Sequence, residues 1–267
     1  MIRIIISLLL CCGTTSFAQG LQLKLVSSKV VPAAEDLRID PFGNIFYLKG
    51  NEIVKVSSNS PEKYSYSDPR LGKINFFTLI NPLQPLLYYT DYNTIQILDN
   101  RLNFSRSINL LDAGFIDPSL VTYTTQRQIL IFDQVSDRLS IFAPETEKLV
   151  NYSPAINQLS SATTRPSLLL SSYNYHLLYL PQEGFLLFDA LAAFKKKIPY
   201  PDSLAEADFN SELLVCLSES GILSLISVKT GQRHEIICPQ TDVKRVILQN
   251  RSLYLWTAEM LYLYKVE

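Results

Sequence analysis

An apolar–x–apolar step followed by a turn recurs six times along this chain, and its spacing restricts the fold more than any single residue does. The step appears as Val54/Val56, Ile95/Ile97, Leu139/Ile141, Phe185/Leu187, Leu223/Leu225 and Leu261/Leu263. Successive first members lie 41, 44, 46, 38 and 38 residues apart. A period of two marks a strand, because alternate side chains of a strand share a face. Units of roughly 40 residues built from short strands stack as the blades of a radially repeated sheet. Six such units make an all-β chain that folds as a six-bladed β-propeller with four antiparallel strands per blade.

Each repeat divides into four strand segments. Second strands occupy residues 45–48, 87–89, 130–132, 177–180, 214–217 and 253–256, and the apolar pairs sit in the third strands that follow. First strands lie at residues 37–39, 77–80, 120–123, 168–170, 207–209 and 243–248. Many of the turns after them are rich in breakers, such as Asp40-Pro41-Phe42-Gly43-Asn44 and Asn81-Pro82. Fourth strands fall at residues 64–66, 105–110, 148–152, 196–200 and 233–237. The residue inside the apolar pair is polar in four repeats (Lys55, Gln96, Ser140, Ser224), a weaker alternation than a one-sided sheet shows. Sheets buried on both faces read this way. The sixth repeat has no fourth strand, whereas residues 21–30 form an extended segment that belongs to no repeat. Pairing the two completes the last blade and leaves no unpaired edge at the seam.

The first 18 residues read as an export signal rather than as part of the fold. Arg3 supplies a positive start, residues 4–10 are apolar, and Ser16-Phe17-Ala18 offers small residues at a cleavage position. Residues 19–267 then form one domain. The alternative is a lipoprotein anchored through Cys12, although Leu9-Leu10-Cys11 is a poor approach to a lipidated cysteine. No later stretch has 18 consecutive apolar residues, so no transmembrane segment is expected after signal removal. The net charge of −1 gives no basic field for nucleic acid. The one basic run, Lys195-Lys196-Lys197, reads as a solvated turn.

This organisation resembles the six-bladed propellers of secreted and periplasmic bacterial proteins, broadly the NHL- and TolB-like group. The resemblance spans residues 21–267 and rests on strand period. No Trp-Asp dipeptide ends a blade, and Tyr-Trp-Thr-Asp is absent. The resemblance implies an exported protein of the periplasm or outer-membrane periphery.

Metal-ligand spacings are missing, and His176 and His234 fall in different repeats, so no tightly held transition metal and no cofactor is expected. Cys216 and Cys238 flank a third strand; two strand spacings exceed disulfide reach, and both are expected to be free. Candidate binding residues are those placed near the channel by the connections between blades and by the second-to-third turns. The connections supply Arg70, Asp112, Asp117, Arg165, Asp202 and Asp242. The turns supply Asp91, Tyr92, Asp133, Glu183, Glu219 and Glu259. For Asp91 and Asp133 a turn-closing hydrogen bond is sufficient reason for an aspartate. Tyr88, Tyr89 and Tyr92 cluster, as do Tyr173, Tyr175 and Tyr179; strand propensity accounts for them, a stacking platform for sugar or peptide being the other reading. The longest connection, residues 153–166, is the first choice for touching a partner. The expected function is a non-catalytic interaction scaffold of the bacterial periplasm or cell envelope, its partner another envelope protein. The alternative is a channel-face hydrolase or calcium-type metal-dependent enzyme.

Overall fold

A computed structural model describes residues 22–161 and 163–267. The export signal and Cys12 lie outside the described residues. Blade I consists of β2 (Asp36–Ile39), β3 (Ile45–Lys49), β4 (Glu52–Val56) and β5 (Lys63–Tyr66). Blade II holds β6 (Phe76–Thr78), β7 (Leu86–Tyr89), β8 (Thr94–Leu98) and β9 (Phe104–Asn109). Blade III holds β10 (Pro118–Tyr123), β11 (Ile129–Asp133), β12 (Arg138–Ala143) and β13 (Lys148–Tyr152). Blade IV holds β14 (Leu168–Ser171), β15 (Tyr175–Leu180), β16 (Gly184–Asp189) and β17 (Phe194–Pro199). Blade V holds β18 (Leu204–Phe209), β19 (Leu213–Ser218), β20 (Ile222–Ser227) and β21 (Arg233–Ile237). Blade VI holds β22 (Arg245–Gln249), β23 (Ser252–Trp256) and β24 (Met260–Val266), and takes its outer strand from the start of the chain, β1 (Leu23–Val30). β1 pairs antiparallel with β24 from Leu23↔Val266 to Val30↔Met260, which is the closure expected from the strand count.

Burial changes with distance from the axis, as the doubly covered sheet requires. The middle strands β7, β8 and β11 are buried at every position, whereas the outer strand β13 is exposed at every position. The buried apolar side chains form six clusters, one at each junction between neighbouring blades. The cluster that unites Leu37, Tyr47 and Val54 of blade I with Trp256 and Leu261 of blade VI closes the ring in the same way as the other five.

Polar ties follow the same period. Lys55 Nζ donates to Asn100 O at 2.6 Å, Arg106 to Pro144 O, and Asn151 to Leu191 O at 2.8 Å. Lys196 donates to Lys229 O at 3.0 Å, Asn210 to Asn250 O at 2.9 Å, and Gln249 to Ile39 O at 2.6 Å. Each junction therefore carries a side-chain-to-carbonyl hydrogen bond besides its apolar cluster. Lys55 and Gln96, inside two of the apolar pairs, are buried with partners: Gln96 donates to Asp68 at 3.0 Å.

Residues 153–166, read as an open loop, contain a single helical turn, α1 (Ile156–Leu159). One turn is too short to give a periodic pattern, and its cap comes from afar: Asp137 Oδ2 accepts the Asn157 N–H at 2.8 Å. Ile156 is buried in the junction of blades III and IV. Cys216 lies in β19 and Cys238 just past β21, with β20 between them; both are free thiols.

Gly184 opens β16 at φ +117°, and a Cβ there would sit 2.3 Å from Ile198 O and 2.4 Å from Tyr200 N. Both obstacles are backbone, which cannot yield cheaply. Gly184→Ala is expected to destabilise the fold by about 3 kcal/mol or more. Gly50, at φ +61° with open space around it, is the control: Gly50→Ala should cost about 1–2 kcal/mol. Denaturant unfolding of both variants checks the difference, and equal losses would remove the steric argument.

Candidate functional site

The innermost strands β2, β6, β10, β14, β18 and β22 surround a central channel of about 610 Å³. In β2 and β18 the alternation of the strand puts core residues on one side and charged residues on the other. Leu37 and Ile39 are buried while Asp36 and Arg38 line the channel; Ala207 and Phe209 are buried while Asp208 lines it and Glu206 turns to Arg245. Arg245 of β22 joins them. Its Nε and Nη2 reach Asp36 Oδ1 at 2.9 and 2.7 Å, and Nη1 reaches both oxygens of Glu206 at 3.1 and 3.0 Å. Arg38 lies 3.6 Å from Asp36 and rests over the rings of Phe76 and Phe77 at 5.0 and 5.2 Å. Asp208 accepts the Leu248 N–H at 2.7 Å. Five charges from three blades thus meet at the axis.

Burial sets their electrostatics. It pushes the Glu206 carboxyl up, with Arg245 and Arg38 pulling the other way. It pushes Asp208 up as well, against the hydrogen bond from Leu248. Burial works against the charge of Arg245 too, but Asp36 and Glu206 outweigh it and hold the guanidinium protonated. The arrangement is a strut that ties blades V, VI and I together across the channel. A cation entering it would compete with Arg245 for Asp36 and Glu206.

The residues picked from the sequence lie on the other end of the strands, distributed around the ring. Arg70 is exposed and pairs with Asp68 at 2.9 Å, which holds the Asp68 carboxyl down to about 2. Asp91 and Tyr92 are exposed in a short 3-10 turn after β7. Asp133 is buried; its carboxylate accepts the N–H groups of Ile116, Asp117 and Ser136 at 2.8, 2.7 and 2.8 Å. Burial opposes its charge, and those three donors outweigh the penalty and keep the carboxyl below the usual range. Arg165 bonds to Gln134 beside a small groove of about 210 Å³ under α1. Glu183 accepts from Ser160 at 2.6 Å and from Lys197 at 3.4 Å. Glu219 and Glu259 are exposed at their turns, as are Asp112, Asp117 and Asp242 in their connections, while Asp202 pairs with Arg233. Each of these contacts is local to its blade or to the next. His176 is buried, bonded through Nδ1 to Ser171 at 2.9 Å, and pushed down to about 4 by burial, so it is neutral at pH 7. His234 sits apart, in blade V.

A hollow larger than the channel, about 1030 Å³, opens on the opposite face, at the turns that follow the innermost strands of blades IV, V and VI. Turn length explains it. Those turns hold residues 40–44, 79–85 and 124–128 in blades I to III, but only residues 172–174, 210–212 and 250–251 in blades IV to VI. The long turns fold back on themselves: Asp40 accepts from Phe42 and Asn44, Asn81 from Leu83, and Thr124 from Gln128. The short ones leave space above them; in blade V Asn210 still closes its turn by accepting from Glu212 and Leu213, at 3.3 and 3.0 Å. Tyr88, Tyr89 and Tyr179 are core residues, whereas Tyr173 stands 71% exposed at the tip of one short turn.

No protein-family model matches this chain, and no curated protein matches it. Solved structures do. The chain is similar to the Pan2 WD40 domain of Neurospora crassa (TM-score 0.59, 10% identity, 87% of this chain and 74% of that one). It is also similar to virginiamycin B lyase from Staphylococcus aureus (TM-score 0.60, 9% identity, 90% and 99%). A third is BBS1N, solved in complex with ARL6DN (TM-score 0.62, 10% identity, 89% and 79%). At these identities the likeness shows the propeller fold and nothing finer.

The strut carries a testable consequence. Arg245 is 21% exposed, so removing it strands two carboxylates in a partly dry channel. Arg245→Met is expected to cost about 3 kcal/mol at pH 7. A carboxyl whose folded pKa is raised contributes stability below its unfolded pKa and loses it as pH rises through the folded value. Without Arg245, Glu206 and Asp208 rise further. The penalty should therefore shrink as pH falls into the ordinary carboxylate range. Urea unfolding of both proteins across pH 4–7 checks it; a pH-independent penalty would assign the loss to packing alone.

Proposed function

We infer that this protein is a non-catalytic binding module of the bacterial periplasm or cell envelope, exported by its first 18 residues, with another envelope protein as its partner. The observation that carries the reading is the channel strut: Arg245 is clamped between Asp36 and Glu206, and Asp208 is committed to Leu248. A carboxylate already saturated by an arginine or a backbone N–H offers little to a substrate or a cation. Here the axial charges serve one another, and a closed ring held by six apolar junctions is a rigid platform for its loops. Of the similar structures, BBS1N was solved bound to another protein, and the lyase is an enzyme on the same architecture. Fold alone does not choose between them; the strut favours the binding role over a calcium-type channel enzyme.

The partner is assigned to the face carrying α1 and Arg165, where a groove under the longest connection offers polar groups beside buried Ile156. The test is expression from the native start, cell fractionation, and affinity purification from cross-linked envelopes. A product beginning at Gln19 in the envelope fraction is expected, with a partner that Arg165→Glu weakens about tenfold without changing Tm. An uncleaved cytosolic protein, or a partner indifferent to that substitution, would overturn the reading.

A further inference from the structure

The hollow above the short turns of blades IV to VI is chemically unlike the rest of the surface. The side chains of Tyr173, Asn174, Lys229, Asn250 and Arg251 line it, and none of them makes a hydrogen bond or ion pair. Lys195 and Lys196, which lie in β17 and not in the turn expected from sequence, add two further cations, the first already paired with Asp189 at 2.7 Å, the second bonded to Lys229 O at 3.0 Å. Glu212 is the one carboxylate in the lining. With Lys195 neutralised by Asp189, three cations still face one anion, Glu212, and in a chain whose net charge is −1 they make a local positive field that the whole molecule does not have. The hollow shares Tyr173, Asn210, Ser211 and Asn250 with the channel mouth, so it runs outward from the axis as a trench between blades IV and V.

We propose that this trench binds an acidic oligosaccharide, a chain of sugar rings bearing carboxylates. The proposal rests on the reading of the ring as a non-catalytic binding module and gives it a second ligand, on the face opposite the protein partner. The trench's size, at the upper end of ordinary ligand clefts, admits several sugar rings. Exposed Tyr173 offers an aromatic face for the C–H side of a pyranose ring. Asn174 and Asn250 each present a donor and an acceptor side by side, which suits adjacent hydroxyl groups. Lys229 and Arg251 supply charge-assisted bonds to carboxylates. An acidic peptide fits less well. Peptide anchors need an apolar pocket, and here Leu187 and Val228 are the only aliphatic lining residues.

Pre-organisation is built in. Asn210 Nδ2 bonds Asn250 O at 2.9 Å, and Ser172 bonds Ser211, so the three turns are fixed to one another before any ligand arrives. Asn250 stands at φ +54°, at the tip of a two-residue hairpin.

Calorimetric titration of the full protein tests this with four probes: trigalacturonate, the neutral galactose trimer, hexaglutamate and a short oligothymidylate. Trigalacturonate is expected to bind best, with affinity falling as salt rises. Lys229→Glu/Arg251→Glu and, separately, Tyr173→Ala should each weaken it about tenfold or more. All three side chains are exposed at turn tips, so Tm should hold. Two reversals on blade I, Lys49→Glu/Lys63→Glu, change the net charge equally and should leave binding intact. No binding of trigalacturonate, tighter binding of hexaglutamate or oligothymidylate, or equal loss in the blade I control would overturn the proposal. Cleavage of bound trigalacturonate would leave the site standing and sink the non-catalytic reading; partner capture without sugar binding would do the reverse.

Discussion

Every blade of this protein is a sheet with two apolar faces, and neither face can be left to water. A four-stranded blade alone would expose one apolar cluster on each side, so stability exists only between blades. An open row of such blades would still have two bare ends. The ring is the arrangement that has none, and the junction of Leu37, Tyr47, Trp256 and Leu261 is where it becomes a ring. β1 secures that junction from outside by pairing with β24. The first and last segments of the fold are thus bound in one sheet, and opening the seam costs an entire junction rather than a frayed strand.

That requirement also governs the polar residues. A side chain between two apolar neighbours in a middle strand has no water to turn to, so it must find a partner within the protein. Lys55 does so with Asn100 O and the rings of Phe46 and Tyr64; Gln96 does so with Asp68. The strut at the axis is the same rule at higher charge. Titratable groups facing a narrow channel are tolerable only with partners: Arg245 pairs Asp36 and Glu206, and Asp208 takes the Leu248 N–H. Arg245 sits between blades V and I because only a cation there can serve both Asp36 and Glu206.

Strand order, blade count and closure were legible in the sequence because one property, the spacing of apolar pairs, encodes all three. Four polar residues inside those pairs even announced that both faces are covered. The strut was harder to see. Asp36 and Arg245 lie more than 200 positions apart, and no local spacing joins them. A signal did exist: Asp36/Arg38 and Glu206/Asp208 are charged at alternate positions in strands that ought to face a core, which in a ring means facing the axis. Asp133 shows the opposite case, a turn aspartate whose three backbone donors match the turn-closing reading given to it from sequence. The one-turn α1 could not be read, since its capping group comes from Asp137.

Turn length is where fold and recognition separate. In blades I to III the turn after the inner strand is long enough for Asp40, Asn81 and Thr124 to satisfy their own backbone. Such a turn is chemically finished. In blade V Asn210 still does this for its short turn, but in blades IV and VI the tip side chains of Tyr173, Asn174, Asn250 and Arg251 make no such bond. The shorter spacing of the last three apolar pairs, 38 residues against 41 to 46, accompanies this in the sequence. A protein that needed only a closed ring gains nothing from three clipped turns gathered on one side of it. Grouped together, they give a rigid scaffold one sector with unspent hydrogen-bonding capacity and positive charge, set beside an axis already locked by its own ion pairs. Rigidity beneath and free polar groups above is the combination that lets a surface bind without first losing entropy of its own.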